Sequence, residues 1–446
     1  MSGPRDSVRS ARRATRSFLV YQAEGPPAPD DPPAAPVGLR RLSREFPEAR
    51  IGRTLMETAR TRLQTESRFA VVFLRMADFA KLRRESRASA ASLVLDVAAA
   101  LAEGGQIGDA PWGLVEQDMF GLFLPDADAH GGRTAADRVR AALEAVRPHP
   151  LAAGVATHPF PGFRRPQTFS NARKALDHAE LLGPGRTAVF GPVSLHVSGD
   201  RRYQRGDIRG AIAEFTQALT LAPEDPNLLN SLGVCYGVRG ALDAALNSFE
   251  ESARRDPAEM MPVYNAGVVH RLRGEPRAAL DCFEAAIRIG GIVFEAVFQA
   301  GRLYLETGRP EAALERFHTA TELRPRSGTA RRFLADAFLA LNRPDDALAA
   351  LREAVRRNPR DAMAFSALGE LMDLRDEDPD IALLYCRHGV DLAPENGSCR
   401  RRLGDACLRR GRFNEALSAY ETAARLGIDC DDQLDQLKAE RASNVS

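Results

Sequence analysis

Small residues recur along the second half of this 446-residue chain at an almost unvarying step. Gly199, Gly233, Gly267, Gly301, Ala335, Gly369 and Gly404 follow one another at intervals of 34, 34, 34, 34, 34 and 35 residues. A second ladder, Ala211, Ala245, Ala279, Ala313, Ala347, Ala382 and Ala416, runs in phase with the first. Four residues beyond most of these alanines stands a large apolar residue: Phe215, Phe249, Phe283, Phe317, Leu351 or Tyr420. Pro223, Pro257, Pro325, Pro359 and Pro394 then close five of the seven units. A fixed period of this length means a stack of one supersecondary unit, because a single unit cannot bury its own apolar face. The residue types specify a helical hairpin. Small side chains on both helices let two antiparallel helices cross closely, and the large residue one turn further on fills the space beside the crossing. Proline stops the second helix because it lacks an N–H and clashes with the preceding turn. Connectors such as Arg205-Gly206-Asp207, Arg239-Gly240 and Thr307-Gly308-Arg309 supply the turn between helices.

In period, residue types and phase, the segment from Pro192 to Ile428 resembles seven tetratricopeptide (TPR) repeats. That resemblance implies an all-α TPR solenoid, a right-handed superhelix whose first helices line a concave groove for an extended or helical peptide, with no catalytic chemistry. The side chains expected to line the groove are Asn230, Ser231, Tyr264, Asn265, Phe298, Gln299, Arg302, Arg332, Asp336, Glu370, Arg401 and Asp405. Asn265 and Gln299 fall in the slot that often bonds a peptide backbone in family members. The Lys and Asn pattern that grips a C-terminal carboxylate in some chaperone-binding members does not occur. Three units depart from the pattern: the third has Gly291 in place of proline, the fifth has Ala335 for glycine, and the sixth has an extra residue around Asp376 to Asp380 with Cys386 in the aromatic slot. A wider turn is expected in the sixth. Asp431 to Arg441, with Leu434 and Leu437, reads as the polar cap that a stack of repeats needs at its open end.

The periodicity changes ahead of the repeats. Phe69 to Leu74 is a continuous apolar run rich in Val and Phe, the pattern of a buried strand. Trp112 to Val115 and Phe120 to Leu124 flank Glu116-Gln117-Asp118-Met119 as a hairpin, and Leu151 to Ala156 and Thr187 to Phe190 supply two more strands. Helical stretches at Gly52 to Gln64, Ala88 to Glu103, Thr134 to Val146 and Thr168 to Leu182 complete an order α-β-α-β-β-α-β-α-β, which suits a mixed sheet covered by helices.

These residues resemble the GGDEF, or diguanylate cyclase, domain. Phe69 to Phe79 matches its first strand and D-x-D-x-F ending, Glu116 to Pro125 its namesake hairpin, and Gly154-Val155-Ala156 its S-x-G-V-A strand. Ala172, Ala175, Leu176 and Ala179, with Gly185, Arg186 and Phe190, match its closing helix and turn. The resemblance implies an α+β fold and, in active members, condensation of two GTP molecules with Mg²⁺ held by carboxylates, which neutralise developing phosphate charge through the metal. This chain departs from that chemistry. Arg75 and Ala77 stand where the first motif has its two aspartates, Glu116 and Gln117 replace the two glycines, and Asp118 is followed by Met119 instead of an acid. Arg83 and Arg84 replace the guanine-reading Asn and Asp, and Ile107-Gly108-Asp109-Ala110 stands where the product-inhibition motif would lie. No metal, cofactor or catalytic residue is expected, and Arg75 is expected to pair with Asp118 across neighbouring strands in the vacated metal position.

Residues 1–45 read as a disordered basic and Pro-rich tail. Arg5, Arg9, Arg12, Arg13 and Arg16 face only Asp6, and six prolines lie between Glu24 and Val37. The expected organisation is this tail, a degenerate GGDEF-like domain over 46–191, seven repeats over 192–428, and a capping helix and tail over 429–446. Lys and Arg total 61 against 60 for Asp and Glu, so no global field draws the chain to nucleic acid or an anionic membrane. The longest early apolar run, Phe18 to Tyr21, is too short for a signal sequence or a membrane span. All six cysteines lie in the second half, without zinc-site spacing, and eight scattered histidines form no nucleophile motif. The expectation is a cytoplasmic, non-enzymatic scaffold that docks proteins in the groove, in a bacterial signalling setting implied by the GGDEF resemblance. The alternative is a GTP or cyclic di-GMP receptor whose degenerate domain regulates the repeats.

Overall fold

The structure, a computed structural model, describes residues 38–104, 108–291, 293–435 and 437. The expected arginine and proline tail up to Val37, Ile107 and the end of the expected cap, from Lys438 onward, lie outside the described residues. Two compact units divide the chain between Pro257 and Ala258. Residues 46–191, expected as a domain by themselves, therefore share a unit with the first two hairpins.

The first unit begins with α1 (Leu39–Glu45), β1 (Arg50–Ile51) and α2 (Gly52–Arg62). Helix α1 corrects the expected tail: its Leu42 is fully buried, an apolar anchor that the basic residues around it conceal in the sequence. Then follow β2 (Phe69–Met76), α3 (Phe79–Glu85), α4 (Arg87–Gly104), β3 (Trp112–Glu116), β4 (Met119–Pro125), α5 (Ala129–Val146), β5 (Leu151–His158), α6 (Gln167–Leu181) and β6 (Thr187–Val189). The sheet order is β1-β3-β4-β2-β5-β6, with β2 antiparallel to β4 and β5, and with β1–β3 and β5–β6 parallel. It is the mixed, helix-covered sheet expected, with a short edge strand β1 that two residues are too few to announce.

Strand β2 is apolar on both faces because both are covered. Val72, Leu74 and Met76 pack with Val94, Val97 and Leu101 of α4 and Val139 and Leu143 of α5. Alternate residues turn the other way. There Phe73 meets Phe123 edge-on, and Phe123 meets Phe169 of α6. Gly154 of β5 brings α6 close, since a Cβ there would lie 2.1 Å from the Leu176 backbone nitrogen. The same alternation that points Phe69, Val71 and Phe73 at α6 puts Arg75 on that face, at the end of the strand.

Four repeat helices complete this unit: α7 (Pro192–Gln204), α8 (Ile208–Leu221), α9 (Pro226–Val238) and α10 (Leu242–Arg255). Asp207 caps α8 by accepting from the Gly210 N–H, and Asp225 caps α9 ahead of Pro226. Gly206 and Gly240 make the turns at φ 79° and 75°, where a side chain would be strained.

The second unit repeats the hairpin five times: α11 (Met260–Leu272) with α12 (Pro276–Gly290), α13 (Phe294–Glu306) with α14 (Pro310–Leu323), α15 (Gly328–Ala340) with α16 (Pro344–Arg357), α17 (Ala362–Leu374) with α18 (Pro379–Leu392), and α19 (Gly397–Leu408) with α20 (Phe413–Arg425). Four residues, 375–378, separate α17 from α18, the wider turn expected there, and Asp376 and Asp378 take positive φ within it. Residues 431–435 are helical, and Leu434 and Leu437 pack on the last hairpin.

The small ladder has a specific partner. A Cβ on Gly199, Gly233, Gly267, Gly301 or Gly404 would come within 2.3 to 2.9 Å of the aromatic ring 16 residues later, Phe215, Phe249, Phe283, Phe317 or Tyr420. Where the sequence has Ala335, the corresponding residue is the smaller Leu351, and both are fully buried. Gly369, facing Cys386, is instead crowded by backbone: its Cβ would lie 2.6 Å from the Ala382 carbonyl oxygen.

Candidate functional site

Two regions collect the residues singled out from the sequence, one in each unit. In the first unit, the end of β2 meets the turn of the β3–β4 hairpin, a two-residue turn of Gln117 and Asp118 between the paired residues Glu116 and Met119. Arg75 lies opposite Met119 on one side and Ala152 on the other. Its Nε is 3.6 Å from Asp118 Oδ2, so the expected pair forms at ion-pair distance without a hydrogen bond. The stronger contact was not foreseen: Arg75 Nη1 donates to Glu180 Oε1 at 2.7 Å. Asp177 Oδ1 lies 3.9 Å from the same nitrogen. Asp177 and Glu180 stand three residues apart on α6, hence on one face. That spacing in the closing helix was the one sequence signal available.

The remaining degenerate positions are also engaged. Glu116 accepts two hydrogen bonds from Arg173 of α6, which hold its carboxyl below the usual carboxylate range. Gln117 accepts from Arg83, while Arg84 is exposed. The Asp118 carbonyl accepts from the Met76 N–H at 2.9 Å, and burial raises its carboxyl despite Arg75. The Ala77 N–H donates to the Pro150 carbonyl. A divalent cation does not fit this arrangement: a fixed guanidinium takes the central position, and the Glu116 and Glu180 carboxylates are already bonded to arginines. Among the described residues, no group of three His, Cys, Asp or Glu side chains is placed to hold a metal.

The network continues into the first repeat. Arg201 of α7 reaches Asp177 Oδ1 at 2.5 Å and Glu180 Oε2 at 3.1 Å. Arg75, Glu180, Arg201 and Asp177 thus form a closed ring of alternating charge. Beside it Lys174 of α6 pairs with the buried Glu214 of α8 at 2.8 Å, and Arg202 approaches Glu214 at 3.4 Å. A cavity of about 400 Å³ opens here, lined by Arg75, Arg173, Asp177, Ser198, Arg201, Arg202, Arg205 and Asp207.

The expected groove residues divide by burial. Asn230, Ser231, Tyr264, Asn265 and Gln299 are buried, and Ser231 Oγ lies 3.0 Å from His196 Nε2. Asn265 and Gln299, two positions ahead of Gly267 and Gly301, are buried and so present little surface to a ligand. Phe298, Arg302, Arg332, Asp336, Glu370, Arg401 and Asp405 remain partly exposed.

In the second unit Phe298 packs against Phe294, Phe317 and Phe333. The Arg332 guanidinium lies 4.4 Å from the Phe333 ring centroid and that of Arg302 lies 5.5 Å from it. Arg332 faces Asp336 and Asp361 at 3.7 and 3.8 Å, beyond hydrogen-bond range. Burial and the like charges of Arg271 and Arg332 depress Arg302. Toward the end of the chain the charges pair more closely, Arg402 with Glu370 at 2.6 Å and Tyr420 donating to Asp405 at 2.8 Å, while Arg401 lies 3.6 Å from Asp405. His270 lies 2.6 Å from Glu275, and Trp112 packs edge-on against Phe46 in the sheet core.

A tetratricopeptide-repeat family model matches residues 197–260, 298–362, 334–372 and 373–429. Solved structures similar to the chain include YrrB, described as a TPR protein with an unusual peptide-binding site, at 22% identity over 42% of this chain and 95% of that one, TM-score 0.37. A tetratricopeptide repeat protein from Parabacteroides merdae is similar at 18% identity over 55% and 96%, TM-score 0.44. MamA from Desulfovibrio magneticus RS-1 is similar at 20% identity over 38% and 94%, TM-score 0.36. No curated protein matches the chain at significance. No helix among the described residues is long and apolar enough to cross a membrane.

Proposed function

We propose, from the premise that this chain carries tetratricopeptide repeats, that it is a non-catalytic scaffold whose second unit docks a partner protein on the inner helices α13 and α15. One observation carries this reading: Arg302 and Arg332 lie over a partly exposed aromatic cluster, Arg332 with Asp336 and Asp361 beyond hydrogen-bond range and Arg302 with only a long 3.5 Å hydrogen bond to Glu306. Aromatic and arginine side chains of this kind supply most of the affinity in protein interfaces. Asp336, Glu370, Arg401 and Asp405 extend the same surface with alternating charge. The test is affinity capture on the full-length protein beside an Arg302→Ala/Arg332→Ala variant of unchanged circular dichroism. Proteins retained by the native chain and lost from the variant support the reading, and identical captured sets refute it.

The sheet of the first unit is read as a degenerate GGDEF-like domain. Its central hairpin and the order of its helices and strands support that reading, as do Arg75, Ala77, Glu116, Gln117, Asp118 and Met119 at the positions where active members hold metal and phosphate. Because Arg75 and its carboxylate partners are mutually neutralised, the domain is expected to make no cyclic di-GMP. Incubation with GTP and Mg²⁺ or Mn²⁺ tests this, and any product above that of a heat-denatured control contradicts it. A role in bacterial signalling, in the cytoplasm, belongs to the same proposal.

A further inference from the structure

The geometry points to a second docking surface in the second unit: the cleft between α16, α17 and α18 takes a segment of a partner protein that carries apolar side chains beside lysine or arginine. The cleft has a volume of about 380 Å³. Its apolar lining is Val355 of α16, Leu368 and Met372 of α17, and Ile381 and Tyr385 of α18. Arg352, Glu377 and Asp378 complete it. The apolar surface continues outside the cleft, because Leu384 lies three residues after Ile381 on the same face of α18 and is 61% exposed, while Ile381 is 40% exposed. The other repeats carry no bulk at these two places. One position before the alanine ladder, where the sixth repeat has Ile381, they have Gly210, Ala244, Ala278, Ala312, Asp346 and Glu415. Two positions after it, where the sixth has Leu384, they have Ala213, Asn247, Asp281, Glu315, Ala349 and Ser418. Six hairpins therefore close without either side chain, and exposed apolar residues that adjoin a cleft mark a contact surface.

The wide turn after α17 decides the charge of what fits. Its paired charges cancel only in part. Glu377 bonds both Arg352 and Arg375, Arg375 also bonds Asp345, and Asp373 bonds Arg409 and Arg410. Asp378 caps α18 by accepting from the Ile381 N–H, and Asp376 and Asp380 have no ion-pair partner among the described residues. With every partner included, six acids face four arginines, and the excess is negative. An acidic segment is repelled there, whereas lysine or arginine beside the apolar anchors restores the balance. Anchors that enter a pocket supply most of the affinity of such a contact, and the charges select the partner. The cleft shares no residue with the Arg302 and Arg332 surface on α13 and α15, so the two surfaces can be tested apart.

Panning a random dodecapeptide library on the full-length protein and on its Ile381→Glu/Leu384→Asp variant tests the proposal. The seventh and third repeats already have Glu415 and Asp281 at those places, so the variant is expected to keep the native unfolding temperature. Peptides recovered from the native chain and lost from the variant should combine apolar residues with lysine or arginine. Synthesised singly and followed by fluorescence anisotropy, they should bind the variant roughly tenfold or more weakly, the loss of one buried aliphatic side chain. An Asp376→Asn/Asp380→Asn protein, whose apolar cleft is untouched, should select the same apolar residues without the basic ones, and the Arg302→Ala/Arg332→Ala protein should select as the native chain does. The absence of peptides that depend on Ile381 and Leu384, or dependent peptides with no excess of basic residues, would overturn the proposal. So would a dimer of the native chain in sedimentation velocity that the Ile381→Glu/Leu384→Asp variant abolishes, which assigns the cleft to a second copy.

Discussion

Replacing Gly199 by alanine tests the packing rule of the repeats at its tightest point. The added Cβ would stand 2.3 Å from Phe215 Cε1, with two further ring atoms at 2.7 and 2.8 Å. Carbon atoms pack best at about 3.5 Å or more, so the ring must retreat by about 1 Å. Phe215 is fully buried, with the His196 ring set edge-on 5.5 Å away, so the retreat disturbs packed neighbours. Overpacking of this kind costs about 1–3 kcal/mol, and the gain in helix propensity from glycine to alanine returns about 1 kcal/mol. At a contact this short the upper part of the range applies, leaving a net loss of about 1–2 kcal/mol. Hydrogen exchange followed by mass spectrometry on segments 192–204 and 208–221 reads that loss locally, as exchange faster by about 5- to 30-fold. Adding Phe215→Leu should restore much of the protection, because the fifth repeat already combines Ala335 with Leu351. If Gly199→Ala leaves exchange unchanged, or if Phe215→Leu worsens it by the same amount with or without the alanine, glycine is not there to admit the ring.

Lys174→Met should strand the buried Glu214 with only Arg202 nearby and lower the stability of the first unit by about 2–3 kcal/mol, with Lys174→Met/Glu214→Leu recovering most of it; thermal unfolding of the three proteins checks this. Burial pushes the Cys235 and Cys386 thiols up to about 12, while Cys282 is partly exposed. Alkylation of the native protein at pH 8 should therefore mark Cys282 first, by peptide mapping, and spare the other two until unfolding. Burial raises Asp336, so the folded state binds its proton more tightly than the unfolded chain does. Its contribution to stability is full below the ordinary carboxylate range and lost as pH rises through the raised value. Asp336→Asn should flatten that part of the stability profile in denaturant titrations between pH 4 and 7.

The hairpins were legible in the sequence because their physics is local and repeated: the glycine, the alanine and the proline act within one 34-residue unit. The identity of each glycine's partner was only half legible. Close helix approach was evident, but the ring 16 residues on became the specific contact only once the helices were placed. Arg75 was read as an ion-pairing residue, yet Glu180, 105 residues away, is reached only through the fold. The alternation of β2 and the three-residue step from Asp177 to Glu180 were both present in the sequence; what joined them was the close seat of α6 at Gly154. Asn265 and Gln299 were placed on the expected face by their phase, but phase does not say how deeply the neighbouring helix covers them. Helix α1 was missed because a single buried leucine among arginines carries no periodicity.

The ring of Arg75, Glu180, Arg201 and Asp177, with Lys174 and Glu214 beside it, bears on how this protein can be dissected. A cut before Pro192, where motif boundaries invite it, would leave severed halves carrying orphan charges and a raw helix flank. Repeats excised there would lack their N-terminal bookend, and binding lost by such a fragment would report damage at the seam before it reported anything about ligands.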